Sequence, residues 1–202
     1  VRQGFNCRDV QEWLPKDKPE EITMDAAQRA IEAQELYKAK TLVGDSNGVG
    51  RGAMEYLANY FHQLHKDLGV TVIFFNAGAK ALDAARYYLR RDELWFKHGR
   101  AWFADPRTHL PNVPGLKTQL TAPGYHEDTN KKIWVESKDD IKKRDSKLVS
   151  GNGADALLMT LIVSAAPEKP KQEPPPAHPK VFQAHFNRLQ RQEEWRSGKY
   201  IR

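Results

Sequence analysis

The sequence predicts an α/β layered domain with a mostly parallel inner sheet, and three observations carry this prediction. Short apolar runs alternate with amphipathic helical segments, the order found in layered α/β proteins. Residues 70–75 form a continuous run rich in β-branched and aromatic side chains, which is typical of a strand covered on both faces. A glycine-rich turn at residues 44–52 joins a short strand to a long helix.

The predicted elements of the first half follow in order. Residues 5–13 are predicted to form a strand, and Thr23 to cap a helix that runs to about residue 40. This helix is expected to turn Ala27, Ala30, Ile31 and Tyr37 inward. A short strand follows at residues 41–44. The apolar face of the next long helix consists of Met54, Leu57, Ala58, Phe61, Leu64 and Leu68.

In the second half, helical periodicity predicts a helix over residues 82–96. A strand at residues 133–135 is expected to pair with residues 124–127 across a turn that contains Asp128 and Asn130. Residues 154–163 are expected to close the domain as an apolar helix.

The chain divides into a domain at residues 1–165, a linker at 166–179 and a tail at 180–202. Six of the twelve prolines lie in the linker, which favours an extended, polyproline-like spacer. In the tail, Phe182, Phe186 and Leu189 recur at the spacing of an amphipathic helix. Such a helix needs a surface on which to bury its apolar stripe. That surface is either a partner protein or the chain's own domain.

Composition excludes several functional classes. The single cysteine, Cys7, can form no internal disulfide and no cysteine-based zinc site, which favours a reducing, intracellular compartment. No apolar run approaches the ~20 residues that cross a bilayer, and no secretory signal opens the chain, which begins with Val1. The net charge is +6, but the residues from 166 onward carry +4 of it. Charge alone therefore does not identify a nucleic-acid enzyme.

Asp45 is the first candidate site residue. It follows a predicted buried strand, at the sheet edge where α/β proteins place ligands and catalytic groups. The alternative is that Asp45 and Asn47 are turn formers that bond their own backbone. A dinucleotide site is a further alternative, because Gly48, Gly50 and Ala53 fit the G-x-G-x-x-A pattern. Two observations argue against a dinucleotide site. Asp45 would lie beside the bound pyrophosphate, and no carboxylate follows the strand at residues 70–75 to bind the ribose.

Asp155 and Lys138 are the other candidates. Asp155 lies in the first turn of the last predicted helix, where the helix dipole alone favours a carboxylate by ~0.3 to 1 kcal/mol. Its neighbours are apolar, so the carboxylate is expected to emerge from a packed element. Lys138 leaves a strand end in Glu136-Ser137-Lys138, whereas the cations at residues 142–144 are expected to be ordinary surface groups.

In their order along the chain, the segments around Asp45, Lys138 and Asp155 resemble parts of the carboxyl-terminal nuclease domain of phage terminase large subunits. The resemblance covers about residues 1–163. That family has an aspartate before an N-G-x-G turn, an apolar strand, a Tyr- and Arg/Glu-rich helix ending near tryptophan, an E-S-K strand end, a basic stretch and a terminal S-P-D-x-A-D-A-L signature. The corresponding residues here are Asp45 with Asn47-Gly48-Val49-Gly50, residues 70–75, residues 87–95, Glu136-Ser137-Lys138, residues 142–144 and residues 151–157.

The resemblance implies a ribonuclease H-like mixed sheet flanked by helices, and a metal-dependent endonuclease that cuts double-stranded viral DNA during packaging. Asp45 and Asp155 would hold two Mg²⁺ or Mn²⁺ ions. Lys138 would orient a ligand or the attacking water, or offset phosphate charge. The implied partners are DNA, the portal protein and the terminase small subunit, in the cytoplasm of the bacterial host. The tail would then dock on the portal or another packaging partner.

Three departures qualify this expectation. No residue corresponds to the family's first metal-binding aspartate, which lies on the opening strand, so the resemblance implies a domain that is incomplete at its N-terminus. The sequence has no P-loop, and Ser150-Gly151-Asn152-Gly153 replaces the S-P-D part of the last signature. The alternatives are a catalytically incomplete terminase fragment that only binds DNA or the portal, or another ribonuclease H-like nuclease such as a junction resolvase or transposase.

Overall fold

The computed structural model describes residues 1–13, 19–147 and 151–163. Within these ranges the strands are β1 (Arg2–Gln3), β2 (Asn6–Cys7), β3 (Thr41–Asp45), β4 (Thr71–Phe75), β5 (Tyr125–Glu127) and β6 (Ile133–Val135). The α-helices are α1 (Pro19–Tyr37), α2 (Gly48–Asn59), α3 (Arg90–Glu93), α4 (Arg100–Ala104), α5 (Leu116–Thr121), α6 (Lys138–Arg144) and α7 (Asn152–Met159). π-helical turns at Tyr60–Leu64 and Leu94–Gly99 continue α2 and α3, and short 3₁₀ turns are present at Lys66–Leu68 and Thr160–Ile162.

The predicted α/β class is confirmed, but the mostly parallel sheet is wrong. The described strands form three two-stranded sheets. Only β3 and β4 pair in parallel, with Asp45 opposite Phe75 at their carboxyl ends. The pairs β1–β2 and β5–β6 are antiparallel hairpins. The parallel pair is joined by α2, as expected for strands that need a crossover connection.

The largest core cluster lies where α1 and α2 pack together against β3 and β4. The stripe predicted on α1 is largely confirmed, since Ala27 and Ile31 are buried, whereas Ala30 and Tyr37 are only partly buried. Burial of such side chains contributes roughly 1.5 to 3 kcal/mol each for the larger ones. The buried members of this cluster are Ala27, Ile31, Ala53, Met54, Leu57, Tyr60, Phe61, Val70 and Val72.

The first helix differs from its prediction at both ends. It begins at Pro19, so Thr23 lies inside the helix rather than capping it. Proline is favoured in the first turn, where its missing N–H would have no helical partner. The helix ends at Tyr37 because Lys38 takes a left-handed conformation with φ of 52°, which stops helical hydrogen bonding.

The long second helix changes pitch near its end. From Tyr60 the α-helical turns widen into a π-helical turn, which rotates the following side chains relative to the predicted face. Phe61 remains fully buried, but Leu64 is 54% exposed, so its predicted place in the core is wrong.

The third predicted helix begins at Arg90, eight residues later than expected, and helical turns continue to Ala104. Its first turn carries two buried carboxylates. The Asp92 carboxylate accepts the Leu89 N–H at 2.8 Å, and the Glu93 carboxylate accepts the Leu82 N–H at 2.8 Å. These bonds hold residues 82–89 as an ordered loop, which is why helical periodicity fails there.

Two strand predictions are also corrected. Residues 5–13 are not one strand, because Gly4 has a positive φ of 58° and the chain turns there to form the β1–β2 hairpin. The strand β4 is not covered on both faces, since Phe74 is 43% exposed while Phe75 is buried. By contrast, the hairpin of β5 and β6 and the helix near residues 154–163 are confirmed.

The linker predicted at residues 166–179 and the tail predicted at 180–202 lie outside the described residues. Of the helices described, none has both the length and the apolar character that a bilayer crossing requires.

Candidate active site

Asp45 ends β3 at a tight turn into α2. Its Oδ1 accepts the Asn47 N–H at 3.1 Å, which confirms the interpretation of Asp45 as a turn former. A Cβ at Gly50 would lie 3.1 Å from the Asp45 carbonyl oxygen, which is a tight contact, so glycine suits this close approach of the helix to the turn. The side chain is exposed, and Oδ2 has no hydrogen-bond partner among the described residues. One carboxylate oxygen of Asp45 is therefore open to a ligand.

Side-chain and backbone hydrogen bonds join the segments that follow the carboxyl ends of β3 and β4. The Asn47 amide donates to Asn76 Oδ1 at 3.2 Å, and the Ser46 N–H donates to the Phe75 carbonyl at 3.0 Å. Asn76 Oδ1 also accepts the Gly78 N–H at 3.0 Å. This network fixes the turn that presents Asp45, and the sequence prediction assigned no role to Asn76.

Asp155 projects from the first turn of α7 and is held on both carboxylate oxygens. The Trp95 indole N–H donates to Oδ1 at 2.9 Å. The Lys138 ammonium lies 2.8 Å from Oδ2 and also donates to Asn152 Oδ1 at 2.8 Å. The Asp155 side chain is 22% exposed, so its carboxylate is partly screened from water. The structure thus brings together two of the three predicted site residues, Lys138 and Asp155.

The start of α7 is capped by side chains distant in sequence. Glu12 Oε1 accepts the Gly153 N–H at 2.7 Å, and Gln119 Oε1 accepts the Ala154 N–H at 3.1 Å. The Gln119 amide in turn donates to Glu12 at 3.0 Å. These bonds satisfy first-turn N–H groups that have no partner inside the helix. They also fix the turn that carries Asp155.

Lys138 is positioned by the bonds that hold the strand before it. Asp92 Oδ1 accepts the Val135 N–H at 2.9 Å, and the Arg91 guanidinium donates to the Val135 and Glu136 carbonyls at 3.2 and 3.0 Å. The chain then turns into α6, where the Ser137 hydroxyl caps the helix by accepting the Asp140 N–H at 3.1 Å. Helix α3 therefore anchors the strand end from which Lys138 leaves.

Glu136 is buried and paired with Arg144, whose Nε and Nη2 lie 2.9 and 2.8 Å from its two oxygens. The Arg144 hydrogen bonds, helped by the Gly124 N–H, lower the pKa of Glu136 from 4.5 to about 2. Arg144 is therefore not the ordinary surface cation that was predicted, because it neutralises a buried carboxylate.

We expect the Glu136–Arg144 pair to make the free energy of unfolding depend on pH. Because the folded pKa of Glu136 lies below its unfolded value, the stabilisation is complete above about pH 4.5 and is lost as the pH falls towards 2. Urea unfolding at pH 7, 4.5 and 3 should show the free energy of unfolding falling less steeply in Glu136→Gln than in the wild type. Asp139→Asn, a change at an exposed position of α6, should keep the wild-type dependence of the free energy of unfolding on pH. Equal slopes for the wild type and Glu136→Gln would contradict the assignment.

In the described part of the chain, Asp45 has no direct bond to Asp155 or Lys138, although the strand and the helix that carry the two acids pack together. Val43 of β3 and Leu158 of α7 belong to one core cluster with Phe75 and Leu94. Asp45 follows Val43 by two residues on a strand, and Asp155 precedes Leu158 by three on a helix, so each acid shares a face with a member of that cluster. Across the ranges that the structure describes, no three His, Cys, Asp or Glu side chains form a group able to hold a metal ion.

Comparisons with known proteins give matches at the level of structure only. No protein-family model and no curated protein sequence matches the chain. A point mutant of the nuclease domain of the large terminase subunit of bacterial virus Sf6, solved with manganese, matches with a TM-score of 0.62 and 18% identity, over 79% of this chain and 80% of that one. The same mutant domain with manganese and β-thujaplicinol gives a TM-score of 0.63 at 18% identity, over 78% of each chain.

A further structure of the Sf6 domain matches with a TM-score of 0.55 and 16% identity, over 79% of each chain. At these identities the likeness concerns the fold. It agrees with the mixed α/β arrangement of the described elements. The chain therefore shares the mixed α/β fold of this terminase nuclease domain over about 79% of its length.

Proposed function

We propose that this chain is the nuclease domain of a phage terminase large subunit, a metal-dependent endonuclease that cuts double-stranded viral DNA during packaging. The observation that carries the proposal is the partly buried Asp155 carboxylate, whose Oδ2 lies 2.8 Å from the Lys138 ammonium. The fold likeness to the Sf6 nuclease domain supports it. The proposed partners are DNA, the portal protein and the small subunit, in the cytoplasm of the bacterial host.

The donor set fits a hard divalent cation. Mg²⁺ is commonly held by one or two carboxylates together with waters and substrate phosphates, so a cage made only of protein is not required. Asp45 offers an exposed oxygen without a protein partner among the described residues, and Asp155 already binds a cationic group. We assign Asp45 and Asp155 as the metal ligands of this chain.

Lys138 has two roles in this proposal. While no cation is bound, the Lys138 ammonium neutralises the Asp155 carboxylate that it contacts, because opposite charges in contact attract. Two Mg²⁺ or Mn²⁺ ions, when bound, would activate the attacking water and stabilise the leaving oxygen. The Lys138 ammonium, released from Asp155, is then free to donate to a non-bridging oxygen of the scissile phosphate.

The test is cleavage of supercoiled plasmid by the purified chain. We expect nicking in Mn²⁺ or Mg²⁺, loss of nicking in EDTA and its return when excess Mn²⁺ is added. A chain extended upstream through a further strand is assayed in parallel, because the family's first aspartate has no counterpart here. Cation-dependent cleavage by neither protein would contradict the proposal.

The same assay tests Lys138. In Lys138→Ala the phosphate loses a neighbouring cation, so cleavage at saturating Mn²⁺ should fall, whereas Lys142→Ala on the exposed side of α6 should leave it unchanged. Cleavage at the wild-type rate by Lys138→Ala would show that Lys138 has no role in catalysis.

The alternative function is a binding module that cuts nothing. It is favoured by the finding that the described residues contain no metal-binding group of three or more side chains. Retarded migration of DNA, or capture of the portal protein, without cleavage by either protein would support the module. Preference for branched DNA over linear duplex would instead indicate a resolvase-like nuclease.

A further inference from the structure

The Trp95 side chain touches the candidate site from an unusual stretch of helix. It lies in the π-helical turn Leu94–Gly99, between α3 and α4, and donates its indole N–H to Asp155 Oδ1 at 2.9 Å. Such turns are rare inside α-helices and are frequent at functional sites. The widened turn therefore coincides with the residue that reaches a candidate metal ligand.

The indole is held by packing that does not depend on Asp155. Trp95 lies against the cluster of Phe75, Leu94 and Leu158. The Arg91 guanidinium lies 5.7 Å from its ring centroid, within the range of a cation–π contact. Because Arg91 also donates to the carbonyls of Val135 and Glu136, one helix fixes both the indole and the strand end before Lys138. The indole is thus a preorganised donor.

The two partners of Asp155 differ in how they respond to a cation. An indole N–H is a neutral donor, and a carboxylate has about four acceptor positions, so the indole bond is compatible with a metal on the other oxygen. The Lys138 ammonium is a full positive charge on Oδ2 and competes with any cation that binds there. A cation that approaches Asp155 therefore replaces Lys138 and not Trp95.

We infer that Trp95 is a positioning residue, which fixes Oδ1 of Asp155 so that Oδ2 is the oxygen that takes the divalent cation. This inference rests on the proposed function, since it requires a cation at Asp155. It concerns orientation only, because Trp95 is not placed against the substrate.

The experiment compares Trp95→Phe with Trp102→Phe. Both changes keep an aromatic ring and remove one indole hydrogen bond, but the Trp102 indole donates to the Gly4 carbonyl at 3.4 Å and not to Asp155. Removing a group that orients a metal ligand typically lowers metal affinity 10- to 100-fold. Isothermal titration with Mn²⁺ should show a loss of this size in Trp95→Phe and a change within about twofold in Trp102→Phe. Thermal unfolding of both variants controls for the fold.

A measurement on the wild type keeps the inference testable if Trp95→Phe does not fold. In a ¹⁵N–¹H spectrum, Mn²⁺ should broaden the Trp95 indole resonance at lower metal ratios than that of Trp102, because broadening falls steeply with distance from the paramagnetic ion and only the Trp95 indole is bonded to Asp155. Mg²⁺ should shift the Trp95 resonance without eliminating it, as expected if the indole keeps its bond to Asp155.

The outcomes separate the two claims. If Mn²⁺ binds and broadens the Trp95 resonance, but Trp95→Phe binds Mn²⁺ with wild-type affinity, the positioning role is wrong and the proposed function stands. The positioning role is also wrong if Mg²⁺ eliminates the Trp95 indole resonance, or if Mg²⁺ leaves its chemical shift unchanged. If Mn²⁺ does not bind, or binds without broadening this resonance, no cation lies at Asp155, and both the inference and the metal assignment fail.

Discussion

Asp155→Asn should abolish cation-dependent cleavage, with a loss on the order of 10³-fold or more. Removing a metal ligand removes several kcal/mol of transition-state stabilisation, and each 1.4 kcal/mol corresponds to about a factor of ten in rate. The fold should survive, because an asparagine oxygen can still accept the Trp95 N–H. Only a partly exposed ion pair with Lys138 is lost, and such pairs contribute about 1 kcal/mol or less.

Asp45→Asn should have the same effect on cleavage, since asparagine can still accept the Asn47 N–H that shapes the turn. Asp139→Asn is the matched control, because Asp139 is an exposed acid in the helix that begins at Lys138. Plasmid nicking at saturating Mn²⁺ measures all three, and urea unfolding confirms that they fold. Wild-type cleavage by Asp45→Asn or by Asp155→Asn would refute the metal assignment, and loss of cleavage in the control would make the assay uninformative about single acids.

The positions of the candidate site residues in the fold could be predicted from sequence, because local signals mark them. Asp45 follows a short strand and precedes a glycine-rich turn, and the structure places it at the end of β3. Lys138 follows a strand, and Asp155 lies in the first turn of an apolar helix, as the structure also shows. Their pairing at 2.8 Å depends on how α6 and α7 fold against one another, which no local pattern encodes.

The residues around the site were missed for the same reason. Glu12 and Gln119 cap α7 from positions more than thirty residues away, and each resembles an ordinary polar residue in its own segment. In the sequence, Trp95 marks only the end of the family motif, although in the structure its indole N–H donates to Asp155. Buried polar groups must be hydrogen-bonded, so an amphipathic segment that contains buried Asp92 and Glu93 signals such partners without identifying them.

The helix near residue 90 illustrates a limit of periodicity. Its apolar spacing extends back to residue 82, but the loop before Arg90 is stabilised by bonds from Asp92 and Glu93 to backbone N–H groups and by a parallel bridge between Tyr87 and Ile133. These tertiary bonds override a weak helical preference. The same loop leads into the helical turns that carry Trp95, so tertiary bonds that periodicity does not reveal also precede the segment that contacts Asp155.

Among the variants proposed, Leu158→Ala should produce the largest loss in the free energy of unfolding. Leu158 is fully buried between α7 and the carboxyl ends of β3 and β4, in the cluster that contains Val43, Phe75 and Leu94. Truncation of a buried leucine costs about 2 to 5 kcal/mol, because the transfer free energy is lost and a cavity remains. Urea unfolding should show a lower midpoint with an unchanged slope. Leu82→Ala is the matched control, since Leu82 is 76% exposed and its truncation should cost less than about 0.5 kcal/mol.

The same variant separates packing from metal binding. Because Asp155 lies one helical turn before Leu158, a cavity beneath α7 should loosen the carboxylate and weaken Mn²⁺ binding in proportion to the loss of stability. Asp155→Asn should instead lose Mn²⁺ binding at nearly constant stability. If Leu158→Ala unfolds at the wild-type urea concentration, the cluster does not hold α7 against the sheet. Asp45 and Asp155 would then lack the packing that links them in the proposed site.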